Sequence, residues 1–168
     1  YGDILETLIS NLSYLGGSVI VLPFVDNSSM KSIEDKKNIA AFLNDFSKIC
    51  ATKSISLALE TDFDPSTYLR FFDFIQNDFV SINYDSGNSA SLGYSFDEEM
   101  KAYSNRISDI HIKDRLLNGG PVLLGDGNAR LKKLKEFIVN TNYEGLIIFQ
   151  SFRDDEGLDI FKKQYDYF

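Results

Sequence analysis

The sequence predicts an α/β protein in which five parallel strands alternate with helices. Short apolar runs recur five times along the 168 residues, and the segments between them carry apolar residues at spacings of three and four. No linker, low-complexity run or long repeat divides the chain. Alternation of this kind is typical of a parallel sheet covered by helices. We therefore predict a single domain over residues 1–168 with about five βα units.

The strands are predicted from apolar runs that end in polar or turn-forming residues. Each run is shorter than an ordinary buried helix, which favours a strand. The predicted strands cover residues 18–23, 57–59 leading into Glu60, 79–84, 107–112 and 146–149.

The helices are predicted from apolar faces and from residues that favour helix ends. Ser32 with Asp35 has the spacing of a capping box. Ser95 with Glu98 repeats that spacing, and Asp64-Pro65 supplies an N-cap followed by a proline in the first turn. The predicted helices cover residues 2–15, a segment beginning near 32 with an apolar face over 39–50, 65–76, 95–105, a segment with an apolar face over 131–138, and 156–165.

The number of strands predicts an incomplete barrel. A closed barrel of eight strands typically needs about 250 residues, so five strands do not close one in the usual way. The chain begins with Tyr1 rather than methionine, directly before the first predicted helix. We expect that roughly the first third of a barrel is missing, through truncation, cleavage or a separate chain. The exposed strand edges would then pair with that N-terminal portion or with a second copy. A complete five-stranded open α/β domain is the alternative.

The composition predicts a folded protein whose partner is a small molecule or a protein. Hydrophobic residues make up 43% of the chain, and the net charge is -8 without clustered Lys and Arg. Because phosphate backbones bind clustered basic residues, we expect no nucleic-acid partner. No apolar run approaches the roughly 20 residues that span a bilayer, and no signal segment opens the chain. We therefore expect no membrane partner and a cytoplasmic location, with the single cysteine, Cys50, as a packed thiol.

Polar side chains lie at the ends of four predicted strands. The carboxyl ends of parallel strands form one rim, so side chains far apart in sequence can converge there. Taken alone, each has an ordinary role as a helix cap, a core histidine or a strand-end amide, whereas their shared position favours a metal site. Carboxylates and one imidazole suit manganese or magnesium, with zinc as the alternative, although a cysteine-rich zinc site is excluded. The predicted ligands are Glu60, Asp85, His111 and Gln150.

Five short motifs carry a resemblance to a known family. They are Leu57-Ala-Leu-Glu-Thr61, Tyr84-Asp-Ser-Gly-Asn88, His111-Ile-Lys-Asp-Arg115, Leu124-Gly-Asp-Gly127, and Tyr143-Glu-Gly145 followed by Ile147-Ile-Phe-Gln150. In this order they resemble consecutive motifs of the xylose-isomerase-like sugar isomerase/epimerase family, over nearly the whole chain. The resemblance implies a TIM barrel whose first three strands lie in the missing part, and a role in carbohydrate metabolism.

The resemblance also implies a reaction. Glu60, Asp85 and His111 match positions that bind one divalent metal in the family. That metal holds neighbouring oxygens of a ketose or related substrate and stabilises the enediolate formed when an adjacent carbon loses its proton. Many members carry a proton-moving glutamate where this chain has Gln150, and an amide cannot act as a general base. Glu60 is therefore the candidate catalytic base, and a carboxylate from the missing part is the alternative second group.

Charged side chains beyond two strand ends are predicted to bind substrate. A cation there could contact substrate hydroxyls or a phosphate, and Asp114 could orient the neighbouring histidine or the Lys113 ammonium. A solvated charged turn is the alternative. The predicted substrate-binding residues are Lys113, Asp114, Arg115 and Arg153.

Three functions are compatible with these patterns. The first is a metal-dependent isomerase or epimerase of a sugar or sugar phosphate. The second is a non-catalytic sugar-binding or regulatory protein on the same scaffold, favoured by Gln150 and the incomplete barrel. The third is an endonuclease of the related apurinic-site repair group. It is disfavoured because it needs more histidine ligands than His111 and a basic DNA-facing surface.

Overall fold

The computed structural model describes residues 2–155 and 157–168, and it confirms the α/β fold class. Helices and strands alternate along the chain as predicted. The helices are α1 (Gly2–Tyr14), α2 (Ile33–Lys53), α3 (Pro65–Phe72), α4 (Ser86–Leu92), α5 (Phe96–Tyr103), α6 (Leu131–Asn140) and α7 (Leu158–Tyr167). The strands are β1 (Val19–Phe24), β2 (Ser56–Thr61), β3 (Val80–Asp85), β4 (Ile107–Ile112), β5 (Asp114–Arg115), β6 (Pro121–Val122) and β7 (Leu146–Phe149).

Five of these strands form one sheet in the order β1-β2-β3-β4-β7. The pairings of β1 with β2, β2 with β3, and β4 with β7 are parallel. The architecture is that of an incomplete TIM barrel, as predicted. Two short strands, β5 and β6, form a separate antiparallel pair that the sequence pattern did not predict.

The chain groups into two compact units. The first contains the residues up to Asn83 together with Ala102–Ser108, and the second contains Tyr84–Lys101 with Asp109–Phe168. The single-domain organisation of the chain remains a prediction.

In the first unit, β2 supplies the middle of the core. Leu57, Ala58 and Leu59 are fully buried, as expected for an apolar strand between two parallel neighbours. Phe71 of α3 is also fully buried, and its ring centre lies 5.6 Å from that of Phe63. Cys50 is buried as predicted, and burial raises the pKa of its thiol to about 11. The thiol is therefore protonated and unreactive near neutral pH.

The predicted start of α2 is confirmed in detail. The Ser32 hydroxyl accepts a hydrogen bond from the Asp35 backbone N–H at 2.9 Å, and the Asp35 carboxylate accepts one from the Ser32 N–H at 2.9 Å. This capping box satisfies two backbone donors that the first turn of a helix leaves open.

The predicted end of α3 is wrong. The helix stops at Phe72 rather than Gln76. Asn44 of α2 explains the early stop, because its amide donates to the Phe74 carbonyl at 2.8 Å and accepts from the Gln76 N–H at 2.9 Å. A tertiary contact thus binds the backbone groups that a longer helix would have used internally.

Asp64 caps α3, and its removal should destabilise the first unit measurably. Its carboxylate accepts from the Ser66 and Thr67 hydroxyls at 2.6 and 2.7 Å and from the Thr67 backbone N–H at 3.0 Å. Asp64→Ala should lower the free energy of unfolding by about 1 kcal/mol in urea titrations. Asp45→Ala is the control, since its exposed pair with Lys48 should contribute less than about 0.5 kcal/mol. Equal effects of the two substitutions would contradict the capping role.

The same hydrogen bonds, led by that from Ser66, lower the pKa of Asp64 to about 2 from its usual 3.8. Because the folded state favours the ionised carboxylate, its contribution is complete above pH 3.8 and is lost as the pH falls towards 2. The stability difference between the native chain and Asp64→Ala should therefore shrink over that range.

In the second unit, α4 is a helix that the sequence pattern did not predict. Asp85 caps its start and Gly93 ends it with a φ of 75°. Most of its side chains are small and buried, so α4 lacks the alternation of polar and apolar faces by which helices are recognised. The next helix, α5, begins directly after Ser95 as expected.

The remaining predicted elements are confirmed with small shifts. Strand β4 has the predicted bounds of Ile107–Ile112, and β7 has those of Leu146–Phe149. Helix α7 runs over Leu158–Tyr167, whereas residue 156, the predicted start, lies outside the described residues. Across residues 2–155 and 157–168, no helix has both the length and the apolar character needed to cross a bilayer.

Apolar surface is exposed along the first and last strands of the sheet. Leu146, Ile147 and Ile148 of β7 are each more than a third exposed. Beside β1, an apolar groove of about 440 Å³ is lined by residues of α1, β1 and α2, including Ile4, Leu8, Leu22 and Phe42. Association of these surfaces with an N-terminal portion or a second copy remains a prediction.

Candidate functional site

The second unit brings together three of the four predicted metal ligands. Asp85 ends β3, His111 lies in β4, and Gln150 directly follows β7. The backbone N–H of Gln150 donates to the Ile112 carbonyl at 3.0 Å, which continues the pairing of β7 with β4. Parallel pairing therefore carries Gln150 to the same strand ends as His111, as the sequence predicted.

The two carboxylate oxygens of Asp85 have different surroundings. Oδ1 accepts the Asn88 backbone N–H at 2.8 Å and so caps α4. Oδ2 is buried and has no hydrogen bond to any described residue. It lies 3.7 Å from Lys113 Nζ and 4.0 Å from His111 Nδ1. Oδ1 thus caps α4, while Oδ2 faces the Lys113 ammonium and the His111 ring.

His111 is buried between two aspartates of the second unit. Its Nε2 lies 3.2 Å from Asp109 Oδ2, and its Nδ1 lies on the side of Asp85. Donation from Nε2 to Asp109 favours the tautomer that carries its proton on Nε2, which leaves the Nδ1 lone pair directed towards Asp85. A buried carboxylate oxygen and an imidazole lone pair that face each other are suited to share a cation.

Lys113 connects Asp85 to Gln150. Its ammonium donates to Gln150 Oε1 at 2.9 Å and forms the 3.7 Å ion pair with Asp85 Oδ2. The Lys113 backbone is fixed by Ser86, whose hydroxyl accepts its N–H at 3.0 Å and donates to its carbonyl at 2.6 Å. Gly87 leaves room for the stem, since a Cβ there would lie only 2.7 Å from Lys113 Cγ.

Glu60 belongs to the first unit. It lies next to last in β2, is half-buried, and pairs in register with Pro23 of β1. Its strand-end position is the one predicted from the sequence, and its role as ligand and base remains a proposal.

Asp114 and Arg115, predicted to bind substrate, organise the loop that follows β4. Asp114 is 1% exposed, and its carboxylate accepts the backbone N–H groups of Arg115, Gly125, Gly127 and Ala129. The Arg115 guanidinium donates to Asn88 Oδ1 at 3.0 Å and to the Gly119 carbonyl at 3.1 Å. The Lys113 ammonium, which Asp114 was predicted to orient, contacts Asp85 and Gln150 instead.

Arg153, the fourth predicted substrate-binding residue, is exposed and lines a cavity of about 390 Å³. Gln150 and Phe161 line the same cavity. The substrate contacts predicted for all four charged residues remain predictions.

Sequence reasoning missed Asp109, Ser86 and Gly87. Asp109 is two residues before His111 in a strand and therefore lies on the same face, a spacing that could have identified it. Ser86 and Gly87 lie in the motif Tyr84-Asp-Ser-Gly-Asn88, but their partner is Lys113, and nothing in local sequence shows that contact.

The donor set of the second unit fits a divalent cation. Within the described part of the chain, no three His, Cys, Asp or Glu side chains gather into a metal-binding group. Asp85 Oδ2 and His111 Nδ1 nevertheless face each other. The Lys113 ammonium donates a hydrogen bond to the Gln150 oxygen and forms an ion pair with Asp85. Carboxylate oxygen, imidazole nitrogen and amide oxygen are together suitable ligands for manganese, magnesium or zinc.

The fold and these side chains define an α/β protein with a candidate cation site at the carboxyl ends of parallel strands. Residues 3–168 match the family described as xylose isomerase-like TIM barrel. The chain therefore belongs to the xylose isomerase-like TIM barrel family, which confirms the resemblance seen in the motifs. No curated protein sequence matches it.

Solved structures with the same fold include sugar epimerases. A xylose isomerase domain protein from Planctomyces limnophilus is 19% identical with a TM-score of 0.78, covering 98% of this chain and 61% of that one. An IolI protein with bound zinc is 18% identical with a TM-score of 0.77, covering 97% of this chain and 66% of that one. A D-allulose 3-epimerase from Methylomonas sp. in complex with D-allulose is 20% identical with a TM-score of 0.73, covering 95% and 60%. The chain thus spans about three fifths to two thirds of their lengths.

Proposed function

We propose that this chain is part of a divalent-metal-dependent isomerase or epimerase that acts on a sugar or sugar phosphate. The observation that carries the proposal is the buried Asp85 oxygen facing His111, with Gln150 joined to the same site through Lys113. The zinc in the IolI protein and the D-allulose in the epimerase support a metal and a sugar in this family. A cytoplasmic location and a role in carbohydrate metabolism remain predictions.

The proposed ligands are Asp85, His111, Gln150 and Glu60, with manganese or magnesium preferred and zinc as the alternative. When bound, such an ion polarises the carbonyl and hydroxyl oxygens of a hydroxy-carbonyl substrate. Asp109 is proposed to hold the His111 ring and its tautomer, because its Oδ2 lies 3.2 Å from Nε2, within reach of a proton on that nitrogen. Ser86 fixes the Lys113 backbone, and the Arg115 guanidinium donates to the Gly119 carbonyl within the loop that follows β4.

Glu60 is proposed as the base that removes the proton from the carbon next to the carbonyl. Proton loss there gives an enediolate, and return of the proton to the other face or the neighbouring carbon gives the epimer or isomer. Gln150 is proposed to bind the metal through its amide oxygen. It transfers no proton, since an amide is not a base near neutral pH. Epimerisation then requires Glu60 alone or a second group from outside this chain.

The test is exchange of a carbon-bound substrate proton with deuterated solvent. The full-length protein, supplied with manganese, should catalyse exchange on at least one of a panel of ketoses and ketose phosphates, followed by NMR. Glu60→Gln should lower the exchange rate by about 10²- to 10⁴-fold. Glu136→Gln, on exposed surface of α6, is the matched control and should leave the rate unchanged. No exchange on any substrate with metal bound would reject the proposed activity.

A non-catalytic sugar-binding or regulatory protein is the second candidate. Gln150 favours it, because the resemblance implies a proton-moving carboxylate at this position in many family members, and an amide is not a base near neutral pH. This candidate predicts saturable sugar binding without proton exchange, and exchange that Glu60→Gln abolishes would exclude it.

A further inference from the structure

We propose that the Lys113 ammonium is a built-in cation that competes with a divalent metal for Asp85 and Gln150, so that metal binds only when Lys113 moves away. The inference rests on the proposed function, because it concerns the same metal site. It adds a residue that controls loading of that site rather than a further ligand.

The competition follows from where the ammonium lies. Nζ of Lys113 is 2.9 Å from Gln150 Oε1 and 3.7 Å from Asp85 Oδ2. These two oxygens are the donors that the second unit offers to a metal alongside His111. A metal ion binds an oxygen at about 2.0 to 2.6 Å through the same lone pairs that accept a hydrogen bond. Two cations that share one pair of oxygens also repel each other, so occupation by one disfavours the other.

Lys113 is anchored at its backbone, and its side chain is partly exposed to water. Ser86 holds the Lys113 N–H and carbonyl, and Gly87 leaves the space through which the stem passes. The side chain is 23% exposed, against 1% for that of Asp85. Rotation about the stem can therefore move the ammonium into water while the backbone stays in place.

Gln150 holds the competing ammonium less strongly than a carboxylate would. A neutral amide oxygen accepts a hydrogen bond from the ammonium, whereas a carboxylate there would add a full ion pair. Leaving Gln150 is therefore easier for Lys113 than leaving a glutamate. Glutamine in place of glutamate at position 150 therefore removes a possible base and also weakens the contact with the Lys113 ammonium.

The experiment is a manganese titration of the full chain by calorimetry, without substrate. Lys113→Met keeps the length and apolar stem of the side chain and removes its charge, so manganese should bind at least about tenfold more tightly. Lys113→Arg retains a cation and should stay within about threefold of the native affinity. Lys133→Met removes a lysine whose exposed ion pair with Asp97 lies on the surface, and it should change nothing.

A further variant locates the effect. Adding Asp85→Asn to Lys113→Met should remove the gain, because the metal would lose the oxygen that Lys113 had covered. Native-like circular dichroism and thermal unfolding of each variant would verify folding, and Lys113→Arg provides a folded comparison if Lys113→Met is unstable. Equal or weaker manganese binding by Lys113→Met, or no manganese binding by either the native chain or that variant, would overturn the inference.

Failure of this inference is distinguishable from failure of the proposed function. Native-like affinity in Lys113→Met together with metal-dependent proton exchange would reject the competition and leave the isomerase standing. A tenfold gain in affinity without any exchange would support the competition and reject the catalytic activity.

Discussion

Replacing Asp114 with alanine should lower the free energy of unfolding by about 3 to 5 kcal/mol. The carboxylate accepts N–H groups at Arg115, Gly125, Gly127 and Ala129, and it is 1% exposed. These hydrogen bonds are part-buried. A backbone donor that loses its acceptor costs about 1 to 3 kcal/mol when it is buried, and water would recover part of that loss here. Urea titrations followed by circular dichroism would measure the change.

Asp126 offers a matched control, because it is an exposed aspartate in the same loop. Asp126→Ala should change the free energy of unfolding by less than about 0.5 kcal/mol. A loss below about 1 kcal/mol in Asp114→Ala would show that the loop supplies its own backbone partners and that Asp114 does not hold it.

The second large effect is expected at Asp85, where Asp85→Asn should weaken manganese binding at least about 100-fold. The substitution removes the charge of a proposed ligand and keeps an oxygen that can still accept the Asn88 N–H. Loss of a group that merely orients a ligand costs about 10- to 100-fold in metal affinity, so loss of a charged ligand should cost at least as much. Equilibrium dialysis with elemental analysis would measure the affinity.

Because asparagine can still cap α4, Asp85→Asn should keep the stability of the native chain within about 1 kcal/mol. Asp126→Asn is the control for charge alone, and its metal affinity should equal that of the native chain. Unchanged metal binding in Asp85→Asn would place the metal elsewhere and remove Asp85 from the proposed ligands. A further double variant, Asp85→Ala with His111→Ala, should lose any bound ion.

The sequence predicted the strands well because they are short apolar runs with clear ends. Strand β4 matched at both ends, and the strand-end placement of Asp85 and Gln150 followed from that pattern. Elements defined by tertiary contacts were missed or misplaced. Helix α3 stops early because Asn44, about 30 residues earlier in the chain, forms hydrogen bonds with the backbone of Phe74 and Gln76, which would otherwise continue the helix.

The candidate site was predicted only where its residues share strand ends. Lys113 was predicted to bind substrate, which stays a prediction, whereas its contacts with Asp85 and Gln150, 28 and 37 positions away in the sequence, were not predicted. Asp114 was predicted to bind substrate or to orient His111 or Lys113, with a solvated turn as the alternative. Its role in the loop was missed, because its backbone partners at 125, 127 and 129 are visible only in the folded loop. Spacing identifies candidate side chains, whereas pairing within the site depends on how distant segments meet.

The order of strands in the sheet has a consequence for how the protein forms during synthesis. The order β1-β2-β3-β4-β7 is the order of translation, so each strand leaving the ribosome finds its neighbour already made. Pairings of this kind close moderate loops rather than joining distant ends, which limits the entropy lost at each addition. Growth of the sheet can then proceed one strand and one helix at a time, with a single newly exposed edge at each stage.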